Sequence, residues 1–241
     1  MSSPPLDATG PQAGAPDVAG PPPSGWTARL RARTLDTMSA DDLLPDRQPA
    51  YVASWIYVFG VATLAALLVV LVTGLVLAAA GPDWWHVSGV GHFVNSLHLW
   101  SVEIFFFVMV VHLWGKFWMA AWRGHRALTW MTGVLSFLVS IGAAFTGYLI
   151  QTNLDSQWIS SEAKDGINAS GAGAFWNVLD VGQMMLWHVT LFPLGVGLIA
   201  VLHVLLVRRH GVVPPLEAPA ALDVDAGARL DADTEGRVSL P

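Results

Sequence analysis

Between Arg47 and Lys116 the chain carries neither a lysine nor an arginine, and a gap of that length excludes an ordinary water-soluble domain. Soluble domains hold charge at roughly a quarter of their residues, whereas here charged residues make up 12% and hydrophobic ones 54% of 241. Four apolar stretches, about 52–80, 93–118, 129–150 and 183–207, each reach the ~20 residues that a bilayer crossing requires. A single segment in lipid satisfies its own backbone hydrogen bonds only as a helix. The expected fold is therefore all-α, a membrane-embedded four-helix bundle over residues 48–213.

The flanks differ in composition. Residues 1–47 are rich in Pro, Gly, Ala and Asp, and they lack the apolar core of a secretory signal. Residues 1–28 read as a disordered tail and 26–44 as a short amphipathic helix on the membrane surface. Residues 214–241, opened by Pro214-Pro215, read as a second disordered tail. Four spans put both tails on one side. The second connection carries Arg123 and Arg126, and the last span ends in Arg208-Arg209, while the first connection has neither lysine nor arginine. The positive-inside rule then makes both tails cytoplasmic, and the cell membrane of a bacterium is the expected location. The third connection, about 151–182, is long for a connector and lies outside. The net charge of −6 argues against nucleic acid as a partner. With no cysteine there is no disulfide, no iron–sulfur ligation and no covalently attached haem c in this chain.

Chemistry concentrates on histidine. His98 and His112 lie fourteen apart in the second span, His188 and His203 fifteen apart in the fourth. Fourteen helical steps return to within roughly 40° of one face and fifteen to within roughly 60°, over a climb of ~21–23 Å. The second and fourth spans run in the same direction, so His98 shares a depth with His188, and His112 with His203. A lone histidine in a membrane commonly hydrogen-bonds between helices. Four that pair by depth are a functional arrangement, because polar groups in a bilayer are costly. Zinc or copper would want further ligands at each depth, and only Glu103 is offered. Two b-type haems, each held by two histidines, fit best.

Gly60 and Gly74 in the first span, and Gly133 and Gly147 in the third, are also fourteen apart. Glycine is common where membrane helices approach closely, but a period equal to the histidine period is what packing around two haems at those depths demands. Glu103 sits five residues beyond His98, roughly 140° around the helix and so away from it. It reads either as a group bonded or protonated at a helix or subunit interface, or as a proton carrier. His86, His92, His125 and His210 read as ordinary solvated or interfacial residues. Trp84, Trp85, Trp118 and Trp122 read as an interfacial belt.

From about Gln48 to Leu216 the chain resembles cytochrome b of the quinol:cytochrome c and quinol:plastocyanin oxidoreductases, its N-terminal dihaem domain in the short, split form. The resemblance is carried by Ser96-Leu97-His98-Leu99-Trp100-Ser101, by His112, and by Leu128-Thr129-Trp130-Met131-Thr132-Gly133. It continues through Thr146-Gly147-Tyr148-Leu149, Val181-Gly182-Gln183, His188 with Pro193, and His203 followed by Arg208-Arg209-His210-Gly211. It implies a low-potential outer haem on His98 and His188 and a high-potential inner haem on His112 and His203. Lys116, Arg123 and Arg126 become candidates for propionate contacts, and Arg208 and Arg209 for an inner quinone site. The implied partners are quinone or quinol, a Rieske-type iron–sulfur protein, a separate C-terminal cytochrome b-like subunit and a second copy of the chain within a larger complex.

Departures from the pattern are specific. Gln151-Thr152-Asn153 replaces the Pro-Trp-Gly of the outer quinol site, Leu99 replaces a basic residue, and Gly115 an arginine. An arginine before the third histidine and the Pro-Glu-Trp-Tyr signature are missing, and near Val58 there is no cysteine to tether an extra haem. The function expected is transmembrane electron transfer as the cytochrome b subunit of a quinol-oxidising respiratory complex, a redox subunit incomplete by itself. The alternatives are a dihaem anchor wiring another dehydrogenase or reductase to the quinone pool, and a haem-free membrane scaffold.

Overall fold

The computed structural model describes residues 25–37, 52 and 54–215. Most of both tails, including the stretch after Pro215 read as disordered and the part of the amphipathic stretch beyond Thr37, lies outside them. Helix α1 (Trp26–Thr37) forms a unit by itself. It begins at Trp26, where the expected tail and the expected amphipathic stretch overlap, and the exposed Trp26 and Leu30 stand one turn apart on it.

The second unit consists of helices joined by short turns, with no strand among its described residues. A 3-10 turn (Trp55–Tyr57) leads into α2 (Val58–Ala80), followed by α3 (Pro82–Val87), α4 (Gly89–Trp118) and α5 (Ala127–Leu149). Then come α6 (Leu154–Ala169), α7 (Val181–Leu186), a π-helical segment (Trp187–Leu191) and α8 (Phe192–His210). Four helical stretches are long and apolar enough to cross a membrane: Trp55–Ala80, Gly89–Trp118, Gly124–Leu149 and Val181–His210. They match the expected spans, except that α4 starts about one turn earlier because Ser88 caps it, its hydroxyl accepting from Gly91 N at 3.3 Å. The chain is an integral membrane protein whose spans turn mainly apolar side chains to lipid.

Local chemistry sets the breaks. Gly81 adopts φ +82, a left-handed value open to glycine, and Pro82 starts α3. α3 then lies across the start of α4 so closely that a Cβ on Gly91 would sit 2.7 Å from Trp85 Cα. α2 packs along α4 and α5 along α8, while the two pairs touch each other at few points. The first and third connections lie at one end of the bundle, called here the upper end, and the second connection and the exit of α8 at the lower end.

The best-packed apolar cluster is at the upper end. Leu149, Ile150, Val178 and Met184 are buried there under Ile159, Ala163 and Ile167 of α6. Trp176 stacks edge-on against Phe145 at 6.1 Å and lies 5.9 Å from Trp187, extending that cap. The third connection is thus a folded element, a point that composition did not reveal. Its helix begins because Asn153 accepts Ser156 N at 2.8 Å, and α7 because Asp180 accepts Gln183 N at 3.0 Å.

Candidate functional site

The structure brings the four histidines to the inside of the bundle, two near each end. At the upper end the rings of His98 and His188 face each other with centroids 6.1 Å apart and planes at 87°. At the lower end His112 and His203 lie within electrostatic reach of each other.

The tautomers follow from the hydrogen bonds. Thr73 Oγ1 donates to Val69 O at 2.7 Å, so at 2.9 Å from His98 Nδ1 it can only accept. Thr132 does the same, donating to Thr129 O at 2.7 Å and accepting from His203 Nδ1 at 3.0 Å. His188 Nδ1 donates to the Ala143 carbonyl at 2.8 Å. In each of these three rings Nδ1 holds the proton, and Nε2 keeps a free lone pair, the state of a metal ligand. His112 differs: its Nδ1 is buried and has no hydrogen-bond partner among the described residues. Thr73 and Thr132 were not singled out from the sequence. The signal was there, since each directly precedes one of the spaced glycines, whereas Gly60 follows Phe59 and its histidine is the one left unbonded.

The glycines meet the histidines one to one. A Cβ on Gly60 would lie 3.0 Å from His112 Cε1, on Gly74 3.0 Å from His98 Cε1, and on Gly133 3.2 Å from His203 Cε1. On Gly147 it would overlap His188, 2.7 Å from Nδ1. These glycines therefore admit the edge of an imidazole against the helix backbone, each glycine span serving the histidines of its packed neighbour.

Fifteen residues from His188 to His203 would overshoot the face by ~60° in a regular helix. The π segment Trp187–Leu191 corrects this, with Phe192 N bonded to Trp187 O across five residues. A π turn absorbs roughly one extra residue, so fifteen residues turn about as far as fourteen. Pro193 accounts for the widening: it has no N–H for the Val189 carbonyl four residues back, and its ring would clash there.

Between His98 and His188 lies a cavity of about 270 Å³ lined by Gly74, Leu77, Trp85, Asn95, Gly147 and Gln151, among others. Its polar groups are neutral. The basic residues gather at the lower end. Lys116 packs over the Tyr57 ring at 3.9 Å, one turn beyond His112, and Tyr57 OH donates to Val213 O at 2.7 Å. Arg123 stacks on Trp122 at 4.7 Å, and Arg208 and Arg209 are exposed at the end of α8. His125 and His210, read as separate solvated residues, pack together with centroids 5.9 Å apart, and Thr129 Oγ1 is 2.8 Å from His210 Nδ1. Arg126 and Arg209 are close enough to act on His210 electrostatically. At Gly115, standing where the resemblance would put an arginine, a Cβ would lie 2.7 Å from Ile56 Cδ1, so a larger residue there requires the Ile56 side chain to turn aside. Glu103 is exposed on the face of α4 opposite the histidines.

Comparison with known proteins places the chain in a family. The family described as Cytochrome b(N-terminal)/b6/petB matches residues 103–226, just over half of the chain. Cytochrome b6 of Heliobacterium mobile is 26% identical over 199 residues, covering 73% of this chain and 93% of that protein. The cytochrome bc complex cytochrome b subunit of Chlorobaculum thiosulfatiphilum is 26% identical over 189 residues, covering 70% of this chain but only 44% of that subunit. The fold resembles that of a chain of a hyperthermophilic respiratory Complex III, with a TM-score of 0.60 and 18% identity over 86% of this chain and 63% of the other. Four apolar helices, histidine pairs at two depths and a family match over half the sequence lead to one conclusion: the chain belongs to the N-terminal cytochrome b/b6 family of membrane electron-transport proteins.

Proposed function

We propose that the chain is the electron-carrying cytochrome b subunit of a quinol-oxidising respiratory complex, with two b-type haems, one between His98 and His188 and one between His112 and His203. Membership of the cytochrome b family implies b-type haem. The observation that supports the ligands of the upper haem is the facing pair at 6.1 Å. An imidazole nitrogen binds a transition metal at ~2.0–2.1 Å, and its ring centre lies about 1.1 Å behind it, so two rings sharing one ion stand ~6.3 Å apart. The glycines and the cavity of about 270 Å³ between the two rings suit a flat macrocycle at that depth.

When bound, haem supplies the one-electron chemistry, and the protein supplies ligands, orientation and dielectric. Thr73, Thr132 and the Ala143 carbonyl hold three imidazoles in the ligating tautomer and raise their basicity, which favours ferric iron and lowers the potential. The upper pair has two such supports and the lower pair one, because His112 Nδ1 is unbonded. That asymmetry supports a low potential at the upper end and a high potential at the lower. Lys116, Arg123 and Arg126 supply cations for propionates at the lower end, and Arg208 and Arg209 for a quinone site. The lower end carries Lys116, Arg123, Arg126, Arg208 and Arg209 against Lys164 at the upper end, which supports a cytoplasmic lower end. The Chlorobaculum subunit is more than twice as long as the part it shares; the partners proposed for the complex are a C-terminal cytochrome b-like subunit and a Rieske-type protein.

One observation favours the second reading, a dihaem anchor for another quinone-linked enzyme. Gln151-Thr152-Asn153 stands in place of Pro-Trp-Gly, and Thr152 takes φ +56 in the sharp turn between α5 and α6. A pyridine haemochrome assay with a reduced-minus-oxidised spectrum on purified protein tests both readings. Two low-spin b-type haems per chain are expected; absence of haem with cofactor supply in excess would overturn both.

Thr73→Val removes the acceptor of His98 at constant shape. The upper haem is expected to bind on the order of tenfold to hundredfold less tightly and to shift to higher potential. Thr63→Val, whose hydroxyl bonds only Phe59 O within its own helix, is expected to change neither. Redox titration of both variants checks the difference.

A further inference from the structure

Glu103 stands at the middle of α4, fourteen residues from Gly89 and fifteen from Trp118, so it lies at mid-depth in the membrane. Its side chain is exposed on the face opposite His98 and His112, and among the described residues it has no hydrogen-bond or ion-pair partner. The same face carries Trp100, Phe107 and Trp114, seven residues apart and 68%, 66% and 62% exposed. Residues seven apart return to within ~20° of one line, the register in which one helix receives another. The line continues into an apolar groove of about 340 Å³ between α4 and α5, lined by Val110, Trp114, Phe117, Trp130 and Phe137.

Bare lipid suits the aromatic residues but not the carboxylate, because an acidic group at the bilayer centre is retained where a partner meets it. The four spans carry no lysine or arginine at that depth. Lys116 is thirteen residues on, ~20 Å along the helix, and the other spans carry no lysine or arginine between Arg126 and Lys164 or between Lys164 and Arg208. A second copy of the chain would bring the same empty register, with its histidines turned inward. We propose that this face of α4 docks a transmembrane helix of a different polypeptide, whose lysine, arginine or histidine at mid-depth pairs with Glu103 and whose bulky side chains fill the groove.

The test places a photo-cross-linking phenylalanine analogue at Phe107 in the full chain, expressed in the membranes of its own cell, with Leu198 on α8, 70% exposed, as the control position. The expected adduct at position 107 is a membrane-spanning peptide of another protein with a basic residue within one turn of mid-depth. Its yield is expected to fall roughly tenfold in Glu103→Leu and to persist in Glu103→Asp. The haem spectrum of each variant reports that the bundle still folds. Charge exchange, Glu103→Lys with the partner's basic residue made glutamate, is expected to restore the adduct. Adducts with lipid alone, with this chain's own peptides or with a segment lacking a basic residue, or a yield indifferent to Glu103→Leu, would overturn the proposal.

Discussion

Replacing His98 or His188 by leucine is expected to halve the haem content of the purified protein, leaving one low-spin haem of the higher potential. Replacing His112 or His203 is expected to leave the other. Leucine keeps most of the buried volume, so the packing of α2 on α4 and of α5 on α8 survives. What is lost is the one nitrogen that each ring holds ready for iron. The two sites are separated by fourteen or fifteen residues, ~21–23 Å of helix, so loss at one depth does not propagate to the other. His92→Leu, in an exposed residue of the first turns of α4, is expected to keep both haems. Potentiometric titration of the four variants settles the assignment: a variant that loses both haems while its helix content is intact, or a His98 and a His188 variant that lose different haems, would refute pairing by depth.

Adding a side chain at Gly147 is expected to do comparable damage without touching a ligand. A Cβ there overlaps the His188 ring, and the neighbour on the other side is helix backbone, so the imidazole has to leave. Overpacking of this kind costs about 1–3 kcal/mol, and parting His188 from the Ala143 carbonyl strands a buried polar group at about 1–3 kcal/mol more. Gly147→Ala is therefore expected to deplete the upper haem, and Gly147→Val to abolish it. The glycines should rank by clearance: Gly60→Ala and Gly74→Ala intermediate at 3.0 Å, Gly133→Ala mildest at 3.2 Å. Gly197→Ala, with nothing within 4 Å of its Cβ position, is expected to keep both haems and to stabilise α8 by about 0.5–1 kcal/mol. Haem content and thermal midpoint across the series check the ranking; equal losses at Gly133 and Gly147 would show that the glycines act through something other than contact with the rings.

Much of the arrangement is legible in the sequence because lipid removes alternatives. The apolar runs around Val58–Ala80 and Phe192–Val207 have no choice but helix, and once the helices are granted, spacing places His98 and His112 on one face without reference to any neighbour. The glycine period was legible too, but its meaning was not: a repeat of fourteen does not say whether the gap admits a macrocycle or the edge of an imidazole. The helix Leu154–Ala169 escaped notice because its residues carry a mixed, weakly apolar pattern, and it is held by caps and by the cluster around Met184. The bonds of Thr73 and Thr132 to imidazole depend on which helix lies against them, which position before a glycine does not specify.

What the sequence by itself determined is the number of spans, the depth of each histidine and the absence of cysteine chemistry, since these depend only on composition and on the rise and turn of a helix. The tertiary structure decided which glycine meets which histidine, which Nδ1 finds an acceptor, and that the fifteen-residue interval in the last span is closed to fourteen by a π turn before Pro193. Those features depend on the distance and rotation between neighbouring helices, which arise only when the side chains of one helix pack against the backbone of the next.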